Sequence, residues 1–275
     1  MDGIEIKKHI RNHYRLLYEG GHPCRVPIQT GRSLARSLGY PVELLDFIPE
    51  DYWKRFVPCG NPIPFLVPSA GDRVLNLGCG AGIDTYTLLL KYGASIRIVS
   101  LDVVAGVLHD ASALAHAMPM PSNVPLASSF SVSSASHRTY KTQITQRSPG
   151  AELQWVCGDG EHLPFQAGSF DWIIMNGVFN LFPDKPSILE EIERVLKPSG
   201  SLVGTDLCCT ASLPDYFEEE PDAWAWCMSG ACTEGSMSDL FLKTGFRQVR
   251  LVPQEEREEE DMFYRIAFTC KKEAD

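Results

Sequence analysis

Between residues 72 and 206, short apolar runs rich in β-forming residues alternate with stretches whose apolar positions recur every three to four residues. That alternation predicts βαβ units feeding a parallel sheet. The strand candidates are 73–77, 96–101, 153–157, 170–175 and 201–206, and two more at 247–252 and 262–270 complete a set of seven. Helices are predicted at 84–92, stopped by Gly93, and at 187–196, where Ile188, Leu189, Ile192, Val195 and Leu196 share one face. Ser187 and Glu190 have capping-box spacing at the start of the second helix, and Pro198 with Gly200 ends it. The acidic run 255–261 between the last two strands reads as a solvated hairpin loop.

Two stretches fall outside the alternation. Residues 1–70 carry a helical pattern near 5–19 and then a Pro-rich, aromatic segment ending in Cys59-Gly60-Asn61-Pro62, which reads as a cap over a sheet domain spanning 71–275. Residues 119–150 are Ser-rich, nearly free of acids and without hydrophobic periodicity, so they read as a disordered insertion whose small apolar burial cannot offset the entropy of ordering it. The expected fold is α/β: a doubly wound, mostly parallel, seven-stranded Rossmann-like sheet with an N-terminal cap.

Composition narrows the ligand. The 275 residues are 44% hydrophobic, enough for one large core. A net charge of −10 argues against a nucleic-acid partner, because such binding relies on clustered Lys and Arg. No run reaches the roughly 18 apolar residues of a membrane span, and the N-terminus has no basic stretch followed by an apolar one. A chain that is neither secreted nor in a membrane is expected. Nine cysteines without a CxxC pair disfavour a disulfide framework and a closed structural zinc site. Reduced thiols in a cytoplasmic protein with a small-molecule substrate are expected instead.

The chemistry centres on the run from Val74 to Gly82, a buried strand entering the turn Gly78-Cys79-Gly80-Ala81-Gly82 and then a helix. Glycines there allow close backbone approach to a ligand, and a helix N-terminus favours an anionic group. The next strand ends at Asp102, about 20 residues beyond Gly82, where a carboxylate can accept both hydroxyls of a ribose. The spacing is GxGxG with Ile83 where a nicotinamide-binding fingerprint has its third glycine, which favours a ligand without a pyrophosphate. S-adenosylmethionine fits as the cofactor, with its carboxylate against the loop and its adenosine at Asp102.

Further along, the runs Gly158-Asp159-Gly160-Glu161-His162-Leu163-Pro164-Phe165, Phe170 to Asn176 and Glu191 to Val203 stand in the order and spacing of the seven-strand S-adenosylmethionine-dependent methyltransferases, which the chain resembles. Within that class it is similar to the arsenite methyltransferases. The likeness runs from Gly39-Tyr40 and Cys59-Gly60-Asn61-Pro62, through the glycine loop and 176–181, to Asp184-Lys185, 226–231 and Thr244-Gly245-Phe246. The resemblance implies a cofactor site of Gly78, Cys79, Gly80, Gly82, Asp102, Val103, Asp159, Gly160 and Asn176, with Asp159 at the adenine amine and Asn176 on the methionine side. It also implies that Cys59 and Cys227 are thiolate ligands of trivalent arsenic, both catalytic and metal-binding, as soft ligands suit a thiophilic centre.

Where that family has a third thiol, this chain has Gly177. Cys24, Cys79 and Cys232 are candidates for the missing ligand, whereas Cys157, Cys208, Cys209 and Cys270 read as buried small hydrophobes. Three functions stay open at this point. The first is methylation of an arsenical, free or as a thiol conjugate such as one with glutathione. The second is methylation of a small organic O, N, S or C nucleophile, and the third is a homologue that binds the cofactor without turnover. Trp224 and Trp226 either wall the substrate pocket or pack the cap, and His109 and His162 read as packing or surface residues.

Overall fold

A computed structural model describes residues 2–20, 31–118, 126–132, 151–217, 219–255 and 261–274. Among these, eight strands form one sheet: β1 (Arg73–Leu77), β2 (Arg97–Asp102), β3 (Leu126–Val132), β4 (Ala151–Cys157), β5 (Phe170–Asn176), β6 (Leu196–Cys209), β7 (Phe246–Pro253) and β8 (Phe263–Lys272), in the order β3-β4-β2-β1-β5-β6-β8-β7. The first six pair in parallel, and β8 runs antiparallel to both β6 and β7. The helices are α1 (Gly3–Tyr18), α2 (Gly31–Ser37), α3 (Val42–Phe47), α4 (Glu50–Trp53), α5 (Ile83–Tyr92), α6 (Ala105–Ala117), α7 (Lys185–Val195), α8 (Pro221–Ala225) and α9 (Glu234–Lys243).

The central strands are apolar on both faces because both are covered. Successive side chains point to opposite faces, so Val74, Ile98, Ile174 and Val203 enter one core with α5 and α6, while Leu75, Val99, Ile173 and Leu202 enter a second core with α7 and α9. Ala35, Tyr40, Leu44, Ile48 and Trp53 from the N-terminal segment join the first core. Helix α1 is started by Asp2, whose Oδ1 accepts from the N–H groups of Ile4 and Glu5, both at 2.9 Å, and it packs Ile6 and Ile10 against Trp224.

Two local expectations change. Leu126–Val132, inside the stretch expected to be disordered, form the edge strand β3, paired with β4 from Leu126↔Ala151 to Val132↔Cys157. A ladder of backbone hydrogen bonds needs no apolar alternation, which is why a Ser-rich sequence can supply it. The rest of 119–150 lies outside the described residues, as does 256–260 of the acidic run. Helix α7 begins a turn earlier than the Ser187 capping box implies: Asp184 is the cap, its Oδ1 accepting from Ser187 N at 3.2 Å, with Pro186 in the first turn, where a missing N–H costs nothing.

The strand order reverses at β1, which lies between β2 and β5 although β2 follows it in sequence. In such sheets ligands bind in the crevice outside the carboxyl ends of the strands at the reversal. The loops after β1, β2, β4 and β5, which are 78–82, 103–104, 158–160 and 177–178, all lie at that end.

Candidate active site

A cavity opens at this crevice, floored by Gly78, Cys79, Gly80, Asp102, Val103 and Asp84 and closed by Asp159, Gly160, Asn176 and Gly177. Of the nine residues expected around the cofactor, eight line it; Gly82 does not. Gly82 starts α5 in the left-handed region at φ +86°, and a β-carbon there would press into Tyr86 and Trp155 at 2.9–3.0 Å. Gly78 touches the cavity, and a β-carbon on it would stand 2.4 Å from Val178. The loop's N–H groups are largely committed: Gly78 and Cys79 donate to Leu101 O at 2.8 and 3.0 Å, Gly82 donates to Cys79 O, and Gly80 donates to Asp102 Oδ2 at 2.9 Å. The glycines therefore serve close approach more than anion capture.

Asp102 is buried and both its oxygens accept backbone N–H groups, Oδ1 from Val104 at 2.9 Å and Oδ2 from Gly80. Burial raises its carboxyl above the ordinary range, against these bonds, which lower it. Asp84, which sequence reasoning passed over, stands in the first turn of α5 with Oδ1 accepting from Tyr40 Oη at 2.6 Å and Oδ2 from Asn176 Nδ2 at 3.1 Å. Burial raises its pKa to about 6, outweighing both hydrogen bonds. Its signal in the sequence was an acid immediately after a glycine-rich turn. Asp159 caps a short 3₁₀ turn through Glu161 N at 3.1 Å, and Arg11 of α1 reaches it at 3.8 Å. Lys7 of α1 pairs with the buried Glu161.

Asn176 ties the cavity to a second one. Its Nδ2 donates to Gly60 O and Tyr40 Oη, and its Oδ1 accepts from Cys59 N at 3.0 Å and Thr205 Oγ1 at 2.8 Å. Beyond it, Cys59 and Cys227, expected as a pair, converge: their sulfurs and a carboxylate oxygen of Asp206 lie within 4.8 Å of one another. The second cavity is lined by both thiols together with Tyr14, Val57, Trp226 and Arg265. Cys227 lies in the left-handed region at φ +62°, a costly conformation for a residue with a β-carbon, and its Sγ contacts Gly177 O at 3.3 Å.

The acid beside the thiols is firmly held. Asp206 accepts from Asn180 N at 3.1 Å, Asn180 Nδ2 at 2.9 Å and Leu207 N at 2.8 Å, and burial raises its carboxyl against these bonds. The Cys227 thiol is pushed well above the ordinary range by its hydrogen bond with Cys59, then by burial and the Asp206 charge. For Cys59, hydrogen bonding with Cys227 pulls the other way, but burial and Asp206 outweigh it and the net direction is up. Lys185 is lowered by burial against the pull of Cys232, Asp206 and Cys227, so a cation faces this acidic cluster from α7.

Of the candidate third thiols, Cys79 lines the first cavity and Cys232 bridges to Cys208, whose Sγ donates to Cys232 O at 2.9 Å; neither joins the cluster, and Cys24 lies outside the described residues. The two tryptophans divide the roles left open: Trp224 packs under α1, and Trp226 walls the second cavity. His109 and His162 are exposed.

Residues 128–264 match the sequence profile of a methyltransferase domain. The sheet and the crevice agree with that match: the fold is that of the seven-strand S-adenosylmethionine-dependent methyltransferases, with one further strand at its edge. Within that class its sequence stands with the arsenite methyltransferases. It is 26% identical to the arsenite methyltransferase of Halobacterium salinarum over 94% of this chain and 61% of that one. It is 31% identical to the arsenite methyltransferase of Aquipseudomonas alcaligenes over 76% and 53% respectively. The chain thus spans little more than half the length of these relatives. The crystal structure of an arsenic(III) S-adenosylmethionine methyltransferase from Chlamydomonas reinhardtii superposes with a TM-score of 0.62 at 24% identity, covering 85% of this chain and 73% of that one, which is a likeness of fold.

Proposed function

We propose that the chain methylates a trivalent arsenical held by Cys59 and Cys227, using S-adenosylmethionine bound at the glycine loop. The observation that carries this reading is the convergence of two thiols, distant in sequence, beside the crevice where the cofactor would sit. The cofactor's chemistry suits the first cavity. It carries two cationic centres, an ammonium and a sulfonium, and the cavity presents the buried carboxylates Asp84 and Asp102 and the half-exposed Asp159. In this reading Asp84 faces the ammonium, Asp102 the ribose and Asp159 the adenine amine, while Tyr14 and Tyr18 wall the reacting end. When bound, the cofactor supplies a methyl group whose bond to sulfur breaks, its electron pair returning to sulfur, as the arsenic lone pair bonds to carbon.

The residues of this chain hold and aim. Both thiols keep their protons at neutral pH, so capture of an arsenical replaces S–H by S–As bonds and each proton leaves with a displaced hydroxide as water. Aiming the metalloid at the methyl contributes the proximity effect, about 7–11 kcal/mol when alignment is good. No general base is required, because the attacking lone pair carries no proton. Two thiols suffice for a monomethylated arsenical or a thiol conjugate such as one with glutathione, and we place the reaction in the cytoplasm. Eight free cysteines among the described residues agree with a reducing compartment, and no helix there is long and apolar enough to cross a membrane.

The test is incubation with labelled S-adenosylmethionine, glutathione and either arsenite or methylarsenite, followed by analysis of methylated products. Cys59→Ser and Cys227→Ser should each abolish arsenical binding and transfer while cofactor affinity stays within about 0.5 kcal/mol. Transfer that survives both substitutions, or a protein that ignores arsenicals, removes this reading. In that event the alternative acceptor is a small organic nucleophile, favoured by the lack of a third thiol at Gly177.

A further inference from the structure

Helix α1 presents His9 and His13 one turn apart on one face, and α8 brings Asp222 beside them. The ligand-capable atoms of these three side chains lie within 4.8 Å of one another, in a cluster separate from that of Cys59, Asp206 and Cys227. Nε2 of His9 is shielded from solvent, yet its nearest acidic oxygen, Asp222 Oδ1, stands 3.6 Å away, beyond hydrogen-bonding distance. Two atoms that ligate one ion tetrahedrally at about 2.0–2.1 Å are separated by roughly 3.3 Å. The spacing is close to the edge of a coordination tetrahedron and leaves the shielded His9 Nε2 without a hydrogen bond.

We propose that His9, His13 and Asp222 form a binding site for a divalent transition-metal ion of the zinc class, with three protein ligands and a fourth position open to water. The donor set selects the class. Two imidazoles suit zinc, nickel and copper, and one carboxylate offsets half of the ion's charge, whereas calcium and magnesium take oxygen ligands. Two cations of the helix are engaged elsewhere, Lys7 with Glu161 and Arg11 near Asp159. Nothing in this site depends on what the thiol pair binds.

Occupancy would act on both cavities. Lys7, Ile10, Tyr14 and Tyr18 of α1 line the first, and the residues after α8 lead directly to Trp226 and Cys227 in the second. His13 already packs edge-to-face on Trp226, their rings 5.1 Å apart. An ion shared by α1 and α8 cross-links the cap helix to the turn that carries Cys227.

Equilibrium dialysis of the tag-free full chain against Zn²⁺, and titration with Co²⁺ followed by absorption, test the site. One equivalent of Co²⁺ with visible d–d bands and no thiolate charge-transfer band is expected. Asp222→Asn and His9→Ala should each weaken binding by about tenfold or more, at least the loss typical of removing a supporting residue of a metal site. Asp222 is half exposed, so its variant tests the site without threatening the fold. Absence of saturable binding, a spectrum dominated by thiolate ligation, or unchanged affinity in both variants overturns the proposal.

Discussion

A β-carbon added to Gly177 would stand 3.3 Å from Sγ of Cys59, so a cysteine at this position would enter the cluster formed by Cys59, Cys227 and Asp206. The backbone there lies at φ +65°, where any side chain costs about 1–2 kcal/mol. Gly177→Cys is expected to lower unfolding stability by that amount and to tighten arsenite binding. Gly177→Ser carries the same strain without the thiol, and should lose stability with no gain in affinity. Calorimetric arsenite titration beside thermal unfolding separates the two effects; equal arsenite affinity in both variants would show that the third thiol position does not reach the metalloid.

Asp84 sets a pH dependence. Its folded pKa, about 6, lies above the unfolded value near 3.8, so the folded state binds the extra proton and the contribution of Asp84 to stability is lost as pH rises between these values. At about 1.36 kcal/mol per unit, Asp84→Asn should gain on the wild type by on the order of 2–3 kcal/mol across that window. Cofactor binding has the opposite sign. A bound ammonium favours the carboxylate, so wild-type affinity should weaken as pH falls below about 6 and the Asn variant should lose most of that dependence. Parallel titration curves for the two proteins would place the ammonium elsewhere.

Asp102→Ala removes the acceptor for the Gly80 and Val104 N–H groups along with the carboxylate facing the cavity. Cofactor affinity is expected to fall by about 1.5–3 kcal/mol, the loss typical of hydrogen bonds to a charged group, and the thermal midpoint should fall with it. Calorimetry giving an unchanged dissociation constant would assign Asp102 to holding the loop alone.

Asp206 should be visible in thiol reactivity. Its negative charge disfavours the thiolates of Cys59 and Cys227, so Asp206→Asn is expected to lower both thiol pKa values and speed their alkylation at a given pH. Rate against pH for a small alkylating reagent gives the answer. A midpoint that stays in place means the carboxylate does not act on the thiols.

What was legible in the sequence was local. The glycine turn announced itself because a buried strand, a turn and a helix are contiguous, and Asp102 because it ends the next strand. Cys59 and Cys227 were paired only through the family resemblance; nothing in the spacing between them predicts contact. Asp206 was read merely as the end of a strand, since its closeness to the thiols depends on the pairing of β5, β6 and β8 and on the left-handed turn at Cys227. Lys7, Arg11, Tyr14 and Tyr18 were legible as a helix but not as a cavity wall, because the docking of α1 is decided by Ile6, Ile10 and Trp224. The strand Leu126–Val132 was hidden by its serines, which obscure the apolar period on which such a reading relies.

Tyr14 and Val57 line both cavities. A ligand that shifts either side chain in one cavity changes the wall of the other, and linkage then requires that each ligand alter the affinity of its counterpart by the same factor. Donor and acceptor are thus expected to bind cooperatively rather than independently. Tyr14, from α1, and Val57, from the segment leading to Cys59, make the N-terminal region the seat of that coupling.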